Sequence, residues 1–294
     1  MRITVFTPIY NRGYIIGNLY HSLQRQSFRD FEWIVVDDGS TDNTESLFQQ
    51  FQTEGNSFPI YYIKTANGGK HRAINRGVRI AHGELFLIVD SDDYLTDDAL
   101  ETIDRIEQTI PSEQRRDFAG VCGQRGYSTD TPIGKTFEGN VLDITTLERP
   151  KHNIYGDKAE VFYTDILKKY PFPEFEGENF ITECVVWDRI AWDGYKLRFY
   201  NQISIVCNYL DDGLTAQGND IFLRNPKGYG LYLHQCGKFG KLFGIEKWNA
   251  YLRYYYEMRN RHTFLQISRN LCMNPVILWA RLFGLRLFYK LYDR

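Results

Sequence analysis

Two acidic clusters stand directly behind apolar runs. Asp90-Ser91-Asp92-Asp93 follows Ile88-Val89, and Asp37-Asp38-Gly39-Ser40 follows the run 31–36. Carboxylates two residues apart at a strand end can converge on one hard cation, Mg2+ or Mn2+, which takes oxygen ligands. Such a cation would neutralise a diphosphate and stabilise it as a leaving group. The same residue types also suit a capped strand-to-helix turn. Asp38, an acceptor-only carboxylate, could receive a base imide N–H or a ribose hydroxyl, or serve the turn itself. Asn67-Gly68-Gly69-Lys70 precedes a helical pattern, where glycine backbone and a lysine can approach phosphate. Glu183 sits in an otherwise apolar helical start, Phe180 to Trp187. Partial desolvation there would raise its pKa and make it a better base; a place in the first helical turn explains an acid equally well.

Other chemistries lack their signatures. There is no Gly-x-x-x-x-Gly-Lys-Ser/Thr loop, no Gly-x-Gly-x-x-Gly turn behind a strand and no Gly-x-Ser-x-Gly elbow. The six histidines show no ligand spacing. The five cysteines are odd in number and scattered, which reads as reduced thiols and not a disulfide framework or zinc site.

The elements that must carry these clusters alternate. The patterns predict strands over 3–7, 31–36, 60–63 and 85–89, with helices over 14–26, 70–81 and 97–108 and a further one capped by Thr41 or Asp42. Thr96 is the expected cap of the helix at 97–108. This is the rhythm of an α/β fold with a mostly parallel, doubly wound sheet, in which ligands bind beyond the carboxyl ends of the strands. The clusters around Tyr10-Asn11-Arg12, Asp37-Asp38 and Asp90-Ser91-Asp92 all fall at such ends. Strands are expected at 118–126 and 159–163, a helix over 181–191, and a strand pair over 197–200 and 203–209; beyond Asp211 the pattern is helical. The chain has 294 residues, 43% hydrophobic and 24% charged, an ordinary globular composition with no spanning run and no export signal at its start. Its charge is uneven: residues 238–294 hold 11 Lys/Arg against 3 Asp/Glu, whereas residues 1–237 hold 24 against 34.

Four stretches in series carry a resemblance: ITVFTPIYN at 3–11, FEWIVVDDGSTD at 31–42, NGGKHRAIN at 67–75 and GELFLIVDSDD at 83–93. Together they resemble family 2 of the inverting glycosyltransferases, with the GT-A nucleotide-diphospho-sugar transferase fold. The likeness is tight over 1–100 and moderate to about 215. It implies a catalytic domain over 1–215, with a nucleotide-binding half at 1–110 and an acceptor half at 111–215, and a basic, aromatic, helical C-terminal appendage at 216–294. By the same resemblance Pro8 and Tyr10 wall the base pocket, Asp38 reads the uracil ring, and Arg12, Asn67, Lys70 and Ser91 belong to the nucleotide site. Asp90 and Asp92 match the Asp-x-Asp pair, with Asp92 the metal ligand assisted by Asp90. The family's base is usually the Asp of a Glu-Asp pair, four residues before an aromatic or Leu and six before an Arg. Here Glu183 holds that position before Trp187 and Arg189, with Thr182 ahead of it; Glu178 and Asp188 are the other acids in reach.

The expected function is a metal-dependent transfer, with Mn2+ or Mg2+, of a sugar from a UDP-sugar to a hydroxyl of a glycan or lipid-linked acceptor in bacterial surface polysaccharide biosynthesis. Glu183 would take the hydroxyl proton in a single inverting displacement. The rivals are a nucleotidyltransferase that forms sugar nucleotides and a catalytically silent nucleotide-sugar-binding scaffold. A nucleic-acid partner is not expected, since the basic region lacks a binding module. The tail has two readings. Pro275 to Tyr292 as a helix with Ile277, Leu278, Leu285 and Phe288 on one side, flanked by arginines, suits a peripheral membrane contact. Packing on the body or on a homodimer mate suits it as well, since surface helices normally bury an apolar stripe. A cytoplasmic location, with the inner face of the membrane as a variant, completes the expectation.

Overall fold

The computed structural model describes residues 1–210 and 212–292, apart from the side chains of Thr215 and of residues 286–292. Strands β1 (Ile3–Ile9), β2 (Phe31–Asp37), β3 (Ile60–Lys64) and β4 (Leu85–Ile88) run parallel in the order β3-β2-β1-β4. Their β-branched and aromatic residues suit a sheet covered on both faces, and every residue of β2 is buried. Strand alternation sorts these side chains between two cores. Ile3, Val5, Phe31, Trp33, Val35, Leu85 and Leu87 face one side. They meet α1 (Gly17–Arg25), α2 (Thr44–Thr53) and α4 (Ala99–Gln108) through Leu19, Phe48, Leu100 and Ile103. Phe6, Ile34, Val36 and Phe86 face the other side, against α3 (Lys70–Ile80) through Ala73, Ile74 and Val78. Gly77 permits that contact, since a Cβ there would lie 2.2 Å from the Phe6 ring.

The sheet continues through β5 (Tyr94–Leu95), β6 (Phe118–Gly126), β7 (Val141–Ile144), β8 (Lys158–Tyr163) and β9 (Lys196–Val206), in the order β4-β8-β6-β9-β5 with β7 also on β9. This half is mixed: β8 is antiparallel to both β4 and β6, while β6 and β9 are parallel. The expected pair over 197–200 and 203–209 is one strand that ends at Val206. Register shifts against β6 bend it, and a bent strand reads as two in sequence. Thr96 does not cap α4: Asp98 holds the cap position, and the Thr96 hydroxyl donates to the Ile203 carbonyl at 3.1 Å. After α5 (Thr164–Lys169) comes α6 (Cys184–Trp192), which begins at Cys184 and not at Ile181, so Glu183 occupies its cap position.

The C-terminal helices are α7 (Asp220–Arg224), α8 (Pro226–Lys238), α9 (Gly244–Met258), α10 (Phe264–Asn270) and α11 (Pro275–Tyr292). They share a third core of Leu233, Tyr251, Tyr254, Met258, Ile267, Leu271, Leu278 and Leu282. The side expected to gather Ile277 and Leu278 splits: Leu278 is buried and Ile277 is exposed, because successive helical positions lie about 100° apart. The Phe288, Tyr289, Arg286 and Lys290 side chains lie outside the described residues. Among the described residues no helix is long and apolar enough to cross a membrane.

Candidate active site

A cleft of about 1210 Å³ opens at the carboxyl ends of β1, β2 and β4. Pro8, Tyr10, Arg12, Asp38, Asn67, Lys70, Asp90, Ser91 and Asp92 all line it, so one concavity gathers residues that span more than eighty positions of sequence. Tyr10 and Arg12 follow β1, Asp38 follows β2, and Asp90, Ser91 and Asp92 follow β4, whereas Pro8 lies within β1 and Lys70 opens α3. Where these buried parallel strands end, polar side chains of the following turns line the crevice.

The loops are tied to one another before any ligand arrives. Both oxygens of Asp38 accept backbone N–H groups, from Gly68 and Gly69, each at 2.7 Å, while the Asn67 side-chain amide donates to the Asp38 carbonyl at 2.9 Å. Burial pushes the Asp38 carboxyl up, against those two N–H donors, with Asp37 adding to the rise. Gly69 has a φ of +96°, and a Cβ there would stand 1.8 Å from the Asn179 carbonyl oxygen, so only glycine lets the loop turn. Asp37 faces away from the cleft: it is buried and accepts from the Tyr62 hydroxyl and the Ser40 N–H. Arg12 donates to Asp212 at 2.8 Å, and Tyr14 shares that carboxylate, which draws the segment after β9 over the mouth of the cleft.

At the centre lies a charge cluster. Lys70, at the start of α3, is 2.7 Å from Asp90 and 2.8 Å from Glu183. Burial opposes the Lys70 ammonium, but the two carboxylates outweigh it and hold its pKa above the ordinary value. Asp90 feels burial too, yet Lys70 and Arg125 keep its carboxyl below the usual range. Arg125 on β6 lies 3.7 Å from Asp90 and 2.7 Å from Asp93. Burial pushes Asp93 up to about 7 against the pull of Arg125, with Asp90 and Asp92 contributing. Asp92 is raised as well, by burial and then by the charge of Asp90.

Asp92 therefore fits a hard cation. Among the described residues it has no ion-pair partner, it stands in an excess of negative charge, and it faces the space where a diphosphate would lie. Asp90 is already engaged by Lys70 and Arg125, which leaves it less free to meet a cation. Among the described residues no three acids, histidines or cysteines form a complete metal cage. Mg2+ characteristically takes one or two carboxylates and completes its shell with substrate phosphates and water.

Glu183 does not line the cleft proper. It joins it through Lys70, and its side chain is 32% exposed, in place of the apolar surroundings that its sequence neighbours suggest. The other two acids in reach are occupied. Glu178 accepts the N–H groups of Lys227 and Gly228 at the start of α8, at 2.7 and 2.9 Å, and Asp188 pairs with Lys241 at 2.8 Å. Sequence reasoning missed Arg125, Asp157, Cys207, Asn208 and Asp212, which line the same cleft. Only Arg125 left a trace, as a charge within an otherwise buried strand.

The model of glycosyl transferase family 2 matches residues 4–150, half of the chain. The chain belongs to glycosyl transferase family 2. Glycosyltransferase GlyG of Streptococcus pneumoniae is 36% identical over 34% of this chain and 33% of its own length. The GalNAc(5)-diNAcBac-PP-undecaprenol beta-1,3-glucosyltransferase of Campylobacter jejuni is 26% identical over 63% of this chain and 58% of its own. This family 2 chain thus spans a third to three fifths of the length of those relatives. Residues 1–349 of TarS from Staphylococcus aureus, solved with UDP-GlcNAc, share the fold with a TM-score of 0.60 at 16% identity, over 98% of this chain and 92% of that one. The mannosyltransferase PcManGT of Pyrobaculum calidifontis, solved with GDP-Man and Mn2+, gives 0.55 at 18% identity, over 99% and 82%. The architecture is the GT-A fold, with a helical region appended at its C-terminus.

Proposed function

We propose that this family 2 chain is a metal-dependent inverting glycosyltransferase that moves a sugar from a UDP-sugar to a hydroxyl of a glycan or lipid-linked acceptor of the cell surface. One observation carries the reading: every residue expected to touch nucleotide, diphosphate or metal lines a single cleft around the Lys70–Asp90 pair. The names of the relatives support a surface-glycan role, and the nucleotides held by TarS and PcManGT support a sugar nucleotide in this cleft.

Pro8 and Tyr10 supply the wall against which a base can lie, and the Asp38–Gly68–Gly69 loop sets its depth. Asp92, with Asp90 beside it, would hold Mn2+ or Mg2+; when bound, that ion neutralises charge on the departing diphosphate. Glu183 takes the proton of the acceptor hydroxyl at a carboxylate oxygen. Lys70 fixes that carboxylate and Asp90 on a single ammonium, so donor side and base keep a set spacing. One displacement inverts the anomeric centre and needs no covalent nucleophile. We place the catalytic body at residues 1–215. The basic C-terminal region, with Trp279 and Phe283 stacked on the open side of α11, would lie against anionic lipid where such an acceptor resides.

The test is a melting-temperature screen of UDP-, GDP- and TDP-sugars with and without Mn2+, followed by hydrolysis of the best binder. UDP with Mn2+ should raise the melting temperature, since a ligand of the folded state stabilises it, and slow release of UDP should follow. Release of pyrophosphate would point to a nucleotidyltransferase. Binding without turnover for any acceptor or water would point to a scaffold.

A further inference from the structure

The far side of the charge cluster carries a feature that the nucleotide site does not use. Adjacent parallel strands β6 and β9 end together, with Gly126 opposite Val206. Alternation brings Arg125 and Cys207 into contact at 3.6 Å, both touching Asp93. One step further out, Tyr127 and Tyr209 meet in the same way, with ring centroids 6.0 Å apart and planes at 48°. The rings are left open, Tyr127 at 59% and Tyr209 at 50% exposure, although an aromatic pair buries itself where it can. Tyr209 is also held in place: its hydroxyl donates to Asp157 at 3.2 Å, and both residues line the cleft. Tyr209 and Asp157 therefore border the catalytic space, with the Tyr127 ring beside Tyr209.

We infer that Tyr127 and Tyr209, with Asp157, form the subsite for the pyranose ring of the acceptor; this rests on the glycosyltransferase reading above. The chemistry is that of a sugar ring. Its axial C–H groups carry partial positive charge and pack on the negative face of an aromatic ring, while its equatorial hydroxyls donate to a carboxylate. The position suits the reaction. Asp90 to Asp93 follow β4, whose neighbours are β1 on one side and β8 on the other. The nucleobase residues Pro8, Tyr10 and Asp38 come from the β1 and β2 side, and the tyrosine pair comes from the β6 and β9 side, across the acids. An in-line displacement requires that separation, with the attacking hydroxyl opposite the leaving diphosphate. The Tyr209 ring is oriented by Asp157 before binding, which reduces the ordering cost of holding a flexible glycan.

The experiment uses the full chain and saturation-transfer NMR with methyl β-glycosides of glucose, galactose, N-acetylglucosamine and N-acetylgalactosamine, in the presence of UDP and Mn2+. At least one glycoside should receive saturation at its axial protons. Y127A/Y209A should lower that signal at least fivefold, whereas Y127F/Y209W should keep it. In the same samples the rise in melting temperature caused by UDP should be unchanged in both variants, which separates loss of the subsite from loss of fold. A glycoside signal indifferent to Y127A/Y209A, or none at all while UDP still stabilises the protein, overturns the subsite. Failure of UDP to stabilise the wild-type chain overturns the donor reading instead.

Discussion

In the proposed mechanism Glu183 and Asp92 would divide the chemistry between them, and each would have a distinct failure. Glu183→Gln keeps the shape and the contact with Lys70 but cannot take a proton. Transfer should fall roughly a hundredfold or more while the UDP-induced rise in melting temperature survives. Asp92→Asn should instead remove the stimulation by Mn2+ and weaken UDP in the presence of metal, read by titration with and without chelator. His71, next to Lys70, presents a different problem: it is buried, and neither ring nitrogen has a hydrogen-bond partner among the described residues. Burial, helped by Arg72, pushes its pKa down to about 4, against about 6.5 in the unfolded chain. Between these values the unfolded state binds a proton that the folded state refuses, so stability falls as pH drops from about 6.5 to 4, by up to about 3 kcal/mol. Melting curves across that window should be flatter for His71→Leu than for the parent.

At the scale of elements, the close seating of α3 on β1 fixes where Lys70 stands. Gly77→Ala would thrust a methyl into the Phe6 ring and should cost about 1–3 kcal/mol, since overpacking shifts backbone or rotamers. Urea unfolding measures that loss, and because α3 starts at Lys70 the donor affinity should fall with it. The elements legible in sequence were those with strong local patterns: β1, β2, β3, β4, β6 and α3 match their periodicities closely. β7 was not legible, because its four residues are only partly covered and lack alternation. β9 was misjudged for a tertiary reason, a bend imposed by its register against β6.

Over the whole molecule, an acidic body carries a basic helical region with a core of its own. Over its described side chains helix α11 is apolar on two sides. Leu278 and Leu282 enter that core, while Val276, Trp279 and Phe283, three and four residues apart, stay open on the other side. Arg281 lies over Trp248 and does not shield them. The protein should float with anionic phosphatidylglycerol vesicles at low salt and be released as ionic strength rises, since screening shortens the reach of the basic residues. Trp279→Ser with Phe283→Ser should reduce flotation several-fold without changing the melting temperature. Absence of binding to anionic vesicles at low salt would assign the exposed face to another partner.

The sequence by itself determined the four parallel strands, the polar clusters at their ends and the helical tail, because periodicity and turn residues are local properties. It also placed Tyr10, Arg12, Asp38, Asp90 and Asp92 at one edge, since parallel strands deliver all their carboxyl ends there, while Pro8 and Asn67 came from the family resemblance. Only the tertiary structure decided which acids are engaged. Asp90 and Glu183 share Lys70, Glu178 caps α8, Asp188 belongs to Lys241, and Asp92 is left facing the cleft. Those choices depend on ion pairs and backbone hydrogen bonds between residues that lie tens of positions apart in most cases and over a hundred for Lys70 and Glu183. A one-dimensional pattern carries no record of distance across the fold.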